Sequence, residues 1–337
     1  MSDTYSIGVD LGATNLRIAS YVEGINFLGT LRIPTRLSEG RDRVVRDMCE
    51  AINALAAKEY GGRRLIGIGI GTPGPLELPG GILRNPPNLP GWDGFNLRLA
   101  VEAMLGRVVE IESDANVAAL AEQKLGAGRT HGIDSLCVIT LGTGVGTGLI
   151  LNGQIWHGAT GMGGEGGHVV VQDAEGAPCG CGGYGCLEQY ASATAVVRMA
   201  RELMGDTSAV TAHDVAVMAR SGDAKAIQVF ERVGHTLAIA LTGLINMLNL
   251  PLYLLGGGVC EAWDLFAPTM FRELPGRSYV YRLTQPDILE PTMFERQKTY
   301  ILGAQLGTSA GLLGACLLPL QKKPVLLHIG ENELVNP

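Results

Sequence analysis

Tyr5-Ser-Ile-Gly-Val-Asp10-Leu-Gly12-Ala13-Thr14-Asn15 is an apolar, β-branched run that ends in a short Gly/Thr turn, and Leu16–Val22 resumes the apolar pattern behind it. The same grammar returns at Ser135-Leu-Cys-Val-Ile-Thr-Leu141-Gly142-Thr143-Gly144-Val-Gly-Thr-Gly148, followed by Leu149–Ile155. Each reads as strand, tight turn, strand. Two such units predict two α/β halves built on one plan.

Working outward, Phe27–Ile33 extends the first unit into a meander. Arg41–Tyr60 places Val44, Val45, Met48, Ile52, Leu55 and Ala56 on one helical face. Leu65–Gly71 and Val108–Ile111 read as strands. Asn96–Leu105 and Asn116–Leu125 read as helices stopped by Gly106 and Gly126, with Ser113 and Asp114 able to cap the second. Beyond the second unit the pattern is mostly helical, with a long helix over Asp223–Leu248. A short strand, Leu252–Leu255, then runs into Gly256-Gly257-Gly258 and a further helix. The expected division is a small N-terminal α/β domain over 1–120, completed by a returning helix near 303–318. A larger α/β domain follows over 121–302, and a surface tail over 321–337.

Composition narrows the class. With 337 residues, 46% hydrophobic and 18% charged, the chain is long enough for two cores and too apolar for disorder. Glycine stands out at 48 residues, about twice ordinary usage, and clusters in turns and close approaches. A formal charge of -7 argues against binding nucleic acid or an anionic membrane. No lysine follows a glycine, so there is no Walker A motif. The start, Met-Ser-Asp-Thr-Tyr, lacks the basic and apolar regions of a secretory signal. Ala310–Leu320 is too short to span a bilayer. Seven cysteines without a signal point to a reducing compartment, the cytoplasm, with thiols free for metal.

The densest chemistry lies in Gly164-Glu165-Gly-Gly-His168 and Cys179-Gly-Cys181-Gly-Gly-Tyr-Gly-Cys186-Leu-Glu188. Three thiols and an imidazole make a closed tetrahedral zinc set, and the intervening glycines let a short loop gather them. Cys179-x-Cys181 is not a thioredoxin-like C-x-x-C, and a disulfide across one residue would be strained. Three thiolates also admit an iron–sulfur cluster, which more often recruits a fourth cysteine. The remaining cysteines, 49, 137, 260 and 316, read as small buried hydrophobes. His131, His157, His213 and His235 read as structural or surface residues.

Elsewhere the signals are individually bland. A Gly/Thr turn between strands is usually only a hairpin; two at equivalent places can offer backbone N–H groups to phosphate oxygens. Asp10, at a strand end, can hold magnesium through water. Asp114 reads first as a helix cap, but a carboxylate beside a substrate hydroxyl is also a general base. Asn85 and Asn88 sit in a proline-stiffened loop, Arg84-Asn-Pro-Pro-Asn-Leu-Pro-Gly-Trp92, where a fixed amide both donates to and accepts from a polyhydroxylated ligand.

Taken as a set, these residues resemble the ROK family of sugar kinases and sugar-responsive repressors. The resemblance rests on Asp10-Leu-Gly-Ala-Thr14, Gly71-Thr-Pro-Gly74, Asn85-Pro-Pro-Asn88, Ser113-Asp114-Ala-Asn116 and Leu141-Gly-Thr-Gly-Val-Gly146. It continues through the Glu165–His168 and Cys179–Glu188 motifs and Gly256-Gly-Gly-Val259, in the family's order, from residue 5 to about 315. It implies a two-domain actin-like ATPase (ribonuclease H-like) fold with the active site in the interdomain cleft. Asp114 would take the proton from the attacking sugar hydroxyl. Gly71, Asn88, Ser113, Glu165, His168 and Glu188 would hold the sugar. His168 would ligate zinc together with Cys179, Cys181 and Cys186. Asp10, Gly12, Ala13, Thr14, Asn15, Gly142, Thr143 and Gly144 would surround the phosphates and Mg²⁺, and Gly256, Gly257 and Gly258 the adenosine of ATP.

The implied reaction is ATP-dependent phosphorylation of a hexose, glucose at its 6-hydroxyl first. Fructose, mannose, an N-acetylhexosamine or another phosphoryl donor are the alternatives. The family's repressors carry an N-terminal helix-turn-helix; here the first strand is reached by residue 5, so a regulator is the weaker reading and no nucleic acid or membrane partner is expected. A homodimer or homotetramer is implied. Two departures stand out: Ser113 where the family usually has Asn, and Ala13 and Asn15 where Gly and Lys are usual. The first bears on which hexose is preferred.

Overall fold

The computed structural model describes residues 3–24, 26–58, 60–205, 211–289, 294–295 and 297–321. The first half opens with β1 (Thr4–Leu11), β2 (Asn15–Val22) and β3 (Asn26–Pro34), then α1 (Arg41–Ala56) and β4 (Arg64–Thr72). A small hairpin, β5 (Leu76–Glu77) and β6 (Ile82–Leu83), precedes α2 (Leu97–Leu105) and β7 (Val109–Ser113). Then come α3 (Asp114–Lys124) and α4 (Ala127–His131). The second half begins with β8 (Leu136–Leu141), β9 (Val145–Leu151) and β10 (Gln154–Ile155). Helices α5 (Glu188–Ala191), α6 (Ala193–Met204), α7 (Ala212–Arg220) and α8 (Ala224–Leu248) follow. The chain closes with β11 (Leu252–Gly256), α9 (Trp263–Arg277), α10 (Tyr279–Thr284), β12 (Tyr300–Gly303) and α11 (Ala310–Leu317).

The repeated grammar of the sequence becomes a repeated topology. One five-stranded sheet runs β3-β2-β1-β4-β7 and the other β10-β9-β8-β11-β12. In both, an antiparallel meander leads into two parallel strands. Register makes the correspondence specific: Asp10 of β1 pairs with Gly71 of β4, as Thr140 of β8 pairs with Gly256 of β11. The carboxyl ends of the parallel strands are where ligands bind in such sheets.

Three cores build the layers. One buries α1 and α2 against the first sheet through Val44, Met48, Ile52, Leu97 and Val101. Another buries α5 to α9 against the second. The third joins the halves, with Ala118, Ala119 and Leu120 of α3 and Leu312, Leu313 and Cys316 of α11 packed among residues of both sheets. Residue 120, where the sequence places a domain boundary, lies inside α3.

Several boundaries differ from expectation. Helix α1 stops at Ala56 rather than Tyr60, because Gly61 and Gly62 take positive φ. The second Gly/Thr loop is shorter than it reads: β9 already starts at Val145, so Gly146 and Gly148 are strand residues. The apolar run to Ile155 is broken by a turn at Asn152–Gly153, both with positive φ. Ser113, not Asp114, caps α3; its Oγ accepts the Asn116 N–H at 3.2 Å, and Asp114 becomes the first helical residue. The expected returning helix is α11, on β1 and β4. Of the tail, only Gln321 is among the described residues. Among those residues no helix is long and apolar enough to cross a membrane.

Glycine permits the central packing. A Cβ on Gly314 of α11 would lie 1.8 Å from the Val117 carbonyl oxygen of α3. Backbone thus meets backbone, with no flexible side chain to yield. Gly314→Ala should therefore lower stability by roughly 2–3 kcal/mol through overpacking, read by thermal unfolding. Gly243→Ala, in open space on exposed α8, should instead raise it by about 0.5–1 kcal/mol.

Candidate active site

A cavity of about 520 Å³ opens at the carboxyl ends of the strands, between the halves. Gly12 and Ala13 from the β1–β2 turn and Gly142, Thr143 and Gly144 from the β8–β9 turn line it. So do Asn88, Ser113, Asp114, Glu165, His168 and Glu188. Residues scattered from 12 to 188 in sequence therefore share one wall.

Each is placed for a local reason. Asn88 rides on a loop pinned by buried Leu89 and by Trp92, which meets Phe95 edge-on with ring centroids 5.4 Å apart. Neighbouring Asn85 is occupied otherwise: it has positive φ, and its N–H donates to Asp93 Oδ1 at 2.8 Å. Glu188 opens α5 and its Oε2 accepts the Val145 N–H at 3.0 Å, tying it to the start of β9. That fit demands glycine next door, because a Cβ on Gly144 would stand 2.3 Å from the same oxygen. The Ala193 N–H donates to the Gly142 carbonyl at 2.8 Å and the Thr194 hydroxyl to the Thr143 carbonyl at 2.9 Å. The first turn of α6 therefore braces the phosphate-type turn.

Not every expected residue lines the cavity. Gly71 is buried in β4, where a Cβ would meet Val117 Cγ2 at 2.8 Å; it admits α3, while Pro73 and Gly74 reach the cavity instead. Asp10 is 9% exposed, one strand-end behind the wall, next to its cross-strand partner Arg17. Thr14 and Asn15 lie past the turn, where the Thr14 carbonyl accepts the Thr35 N–H. Gly256, Gly257 and Gly258 sit apart from this wall, Gly258 beside a small crevice with His213 and Arg220.

Other residues at or behind the wall escaped the sequence reading. Thr140, Gln189, Ser192 and Thr194 line the cavity; the Ser192 N-cap before an apolar helical run was the available signal for α6. Arg17, paired with Asp10 and donating to the Thr308 carbonyl at 2.5 Å, carried no motif. Glu112 and His157, a 2.5 Å pair, are far apart in sequence, and nothing local joins them.

The electrostatics single out Asp114. It is ringed by protein, yet its carboxylate opens into the cavity. Burial, together with the nearby charges of Asp10 and Glu165, pushes its pKa up to about 7, against the pull of the Ala115 N–H on Oδ1 at 2.7 Å. Glu165 is raised as well, by burial first and by Glu188, with His168 opposing. A cavity crowded with carboxylates is one that a divalent cation relieves. Asp10 is the hard oxygen ligand placed to hold magnesium there.

The expected zinc ligands do converge. The ligand atoms of His168, Cys179, Cys181 and Cys186 all lie within 4.8 Å of one another. Cys181 and Cys186 sulfurs are 3.7 Å apart, and Cys179 Sγ is 3.5 Å from His168 Nδ1. A tetrahedron with zinc–sulfur bonds of about 2.3 Å has edges of roughly 3.8 Å, so the cluster fits zinc. The Gly183 N–H points at Cys181 Sγ at 3.4 Å and holds that thiol below its usual pKa. His168 turns its other nitrogen, Nε2, toward Glu165 Oε2 at 4.0 Å, so one ring serves both the metal side and the cavity side. Purified protein should hold about one zinc per chain. Chelation or Cys181→Ser should lower Tm by at least roughly 5 °C; a metal-free protein with unchanged Tm would remove the site.

Comparison with known proteins agrees with this geometry. The ROK family model matches residues 6–322. A protein of Halalkalibacterium halodurans named glucokinase is 34% identical, over 99% of this chain and 100% of its own. The solved ROK hexokinase of Thermus thermophilus superposes with a TM-score of 0.76 at 33% identity, over 93% of this chain and 97% of its own. A ROK family glucokinase from Streptomyces griseus, solved in complex with glucose and AMPPNP, gives 0.75 at 29% identity, over 94% and 100%. With its motifs in order, its cavity at the strand ends and its His/Cys3 cluster in place, the chain belongs to the ROK family, with that family's actin-like ATPase fold.

Proposed function

We propose that this protein transfers the γ-phosphoryl group of ATP to a hexose, glucose at its 6-hydroxyl first. The observation that carries the reading is Asp114. It is a carboxylate with a pKa near neutrality, on the wall that also carries the two glycine turns and the Asn88–Glu165–His168–Glu188 group.

Phosphoryl transfer asks the protein mainly for positioning and charge neutralisation. Asn88, Glu165, His168 and Glu188 supply alternating donors and acceptors for vicinal hydroxyls. Asp114 accepts the proton of the attacking hydroxyl, and a pKa near the working pH is the best compromise between being ionised and being basic. Gly12, Ala13 and Gly142–Gly144 present backbone N–H groups without side chains in the way. Magnesium, bound with the nucleotide near Asp10, would neutralise phosphate charge; zinc would stiffen the wall that holds Glu165, His168 and Glu188. The printed ligands of the Streptomyces griseus relative support the substrate pair. Gly256–Gly258 as adenosine neighbours belong to the same proposal.

A cytoplasmic setting is supported by seven unpaired cysteines. Assembly as a homodimer or homotetramer is supported by exposed Met247, Tyr279 and Leu283 on the adjoining α8 and α10.

A coupled assay with MgATP against a panel of hexoses tests the reaction; no turnover of any hexose would sink it. Asp114→Asn should reduce kcat by about 10²–10⁴-fold and leave hexose affinity nearly intact. The acid limb of kcat/KM should have its midpoint near 7 in the free enzyme, and saturating MgATP should move the midpoint of kcat down. Because the folded-state pKa lies above the unfolded value, the native protein gains stability below about pH 4 that it loses as pH rises toward 7. Asp114→Asn should therefore be the more stable protein at pH 8, by on the order of 1 kcal/mol once cavity water is counted.

A further inference from the structure

Glu112 stands two residues before Asp114 and is 4% exposed. Its Oε1 accepts the Ser113 N–H at 2.8 Å and Asn116 Nδ2 at 3.0 Å, and its Oε2 meets His157 Nε2 at 2.5 Å. A buried carboxylate persists only where donors compensate it. Here the donors come from just two places: the β7–α3 turn that carries Asp114, and the first residues after β10. His157 does not line the cavity.

His157 is the base of the loop that delivers Glu165. Its carbonyl accepts the Gly163 N–H at 2.8 Å, and a Cβ on Gly163 would press on the His157 backbone at 2.8 Å. Ring and loop closure therefore move together. The far side of the loop is docked as well, the Thr160 carbonyl accepting the Leu78 N–H at 3.0 Å. Gly161 and Gly163 line the cavity and Glu165 follows. Since β7 lies in the first sheet and β10 in the second, the pair joins the two halves directly. The Glu112 hydrogen bond raises the His157 pKa, as expected of a charge-assisted bond.

Resting on the hexose-kinase reading of this cleft, we infer that His157 is a positioning residue: clamped to Glu112, it sets the distance between Asp114 and the Glu165–His168 wall, and with it the hold on the sugar. Misplacement of a reacting group by about 1 Å costs up to 10²-fold, so the clamp controls more than its own bond.

The test is calorimetric titration of glucose onto the protein, paired with steady-state kinetics. His157→Ala should raise the glucose Kd and KM about 10-fold or more and leave KM for MgATP within about twofold. His157→Gln, which keeps an N–H donor, should recover most of the loss. Glu112→Gln should weaken glucose binding in the wild-type background and add little in His157→Gln, the mark of a coupled pair. Overturning results are a His157→Ala protein with unchanged glucose Kd, both KM values rising together with a fallen Tm, or additive losses in the double variant. If His157→Ala does not fold, the Glu112→Gln cycle decides alone. A wild-type protein that binds no hexose in the same titration would refute the kinase reading instead.

Discussion

Helix α3 cannot move, and the site depends on that. It is pressed from three sides by backbone: Gly314 of α11 admits the Val117 carbonyl, Gly148 of β9 admits the Ala115 carbonyl at 2.4 Å, and Gly71 of β4 admits the Val117 side chain. Its own inner residues are mostly alanines, which lose no side-chain freedom on burial and let the elements approach closely. A close-packed interior transmits small displacements rather than absorbing them. The first residue of this trapped helix is Asp114, so the position of the candidate base is inherited from the packing of the whole molecule.

The strain on Asp114 follows from the same design. Its carboxyl is held where burial and neighbouring carboxylates disfavour ionisation, at a cost to the fold that the surrounding packing offsets. Groups with displaced pKa values gather where chemistry is done. The cysteine loop meets the opposite difficulty. It is too glycine-rich to hold a shape by burial, and the convergence of its three sulfurs on His168 offers metal coordination in place of a core.

The architecture was legible because its signals are periodic and local. The two strand–turn–strand units, the α8 face and the glycine stops of α2 and α3 translate directly into elements. The zinc ligands were legible because four ligands in one short stretch leave few other readings. What escaped was the long-range chemistry. Gly71 looked like a ligand-facing glycine and is instead a gap for Val117. Glu112 and His157 find each other only after two sheets have been brought together. Strand ends were misjudged where, as at Gly146, the side-chain-free residue of a turn and that of a strand look alike.

The two sheets share one strand order, yet their equivalent central positions differ in charge: Asp10 on one side, Thr140 on the other. A duplicated scaffold alone would present two interchangeable lips to whatever enters between them. One carboxylate in place of a hydroxyl breaks that equivalence and gives the cleft a polarity. Cations are drawn to one lip, and a polyphosphate chain accompanied by its counter-ion has only one favourable direction in which to lie.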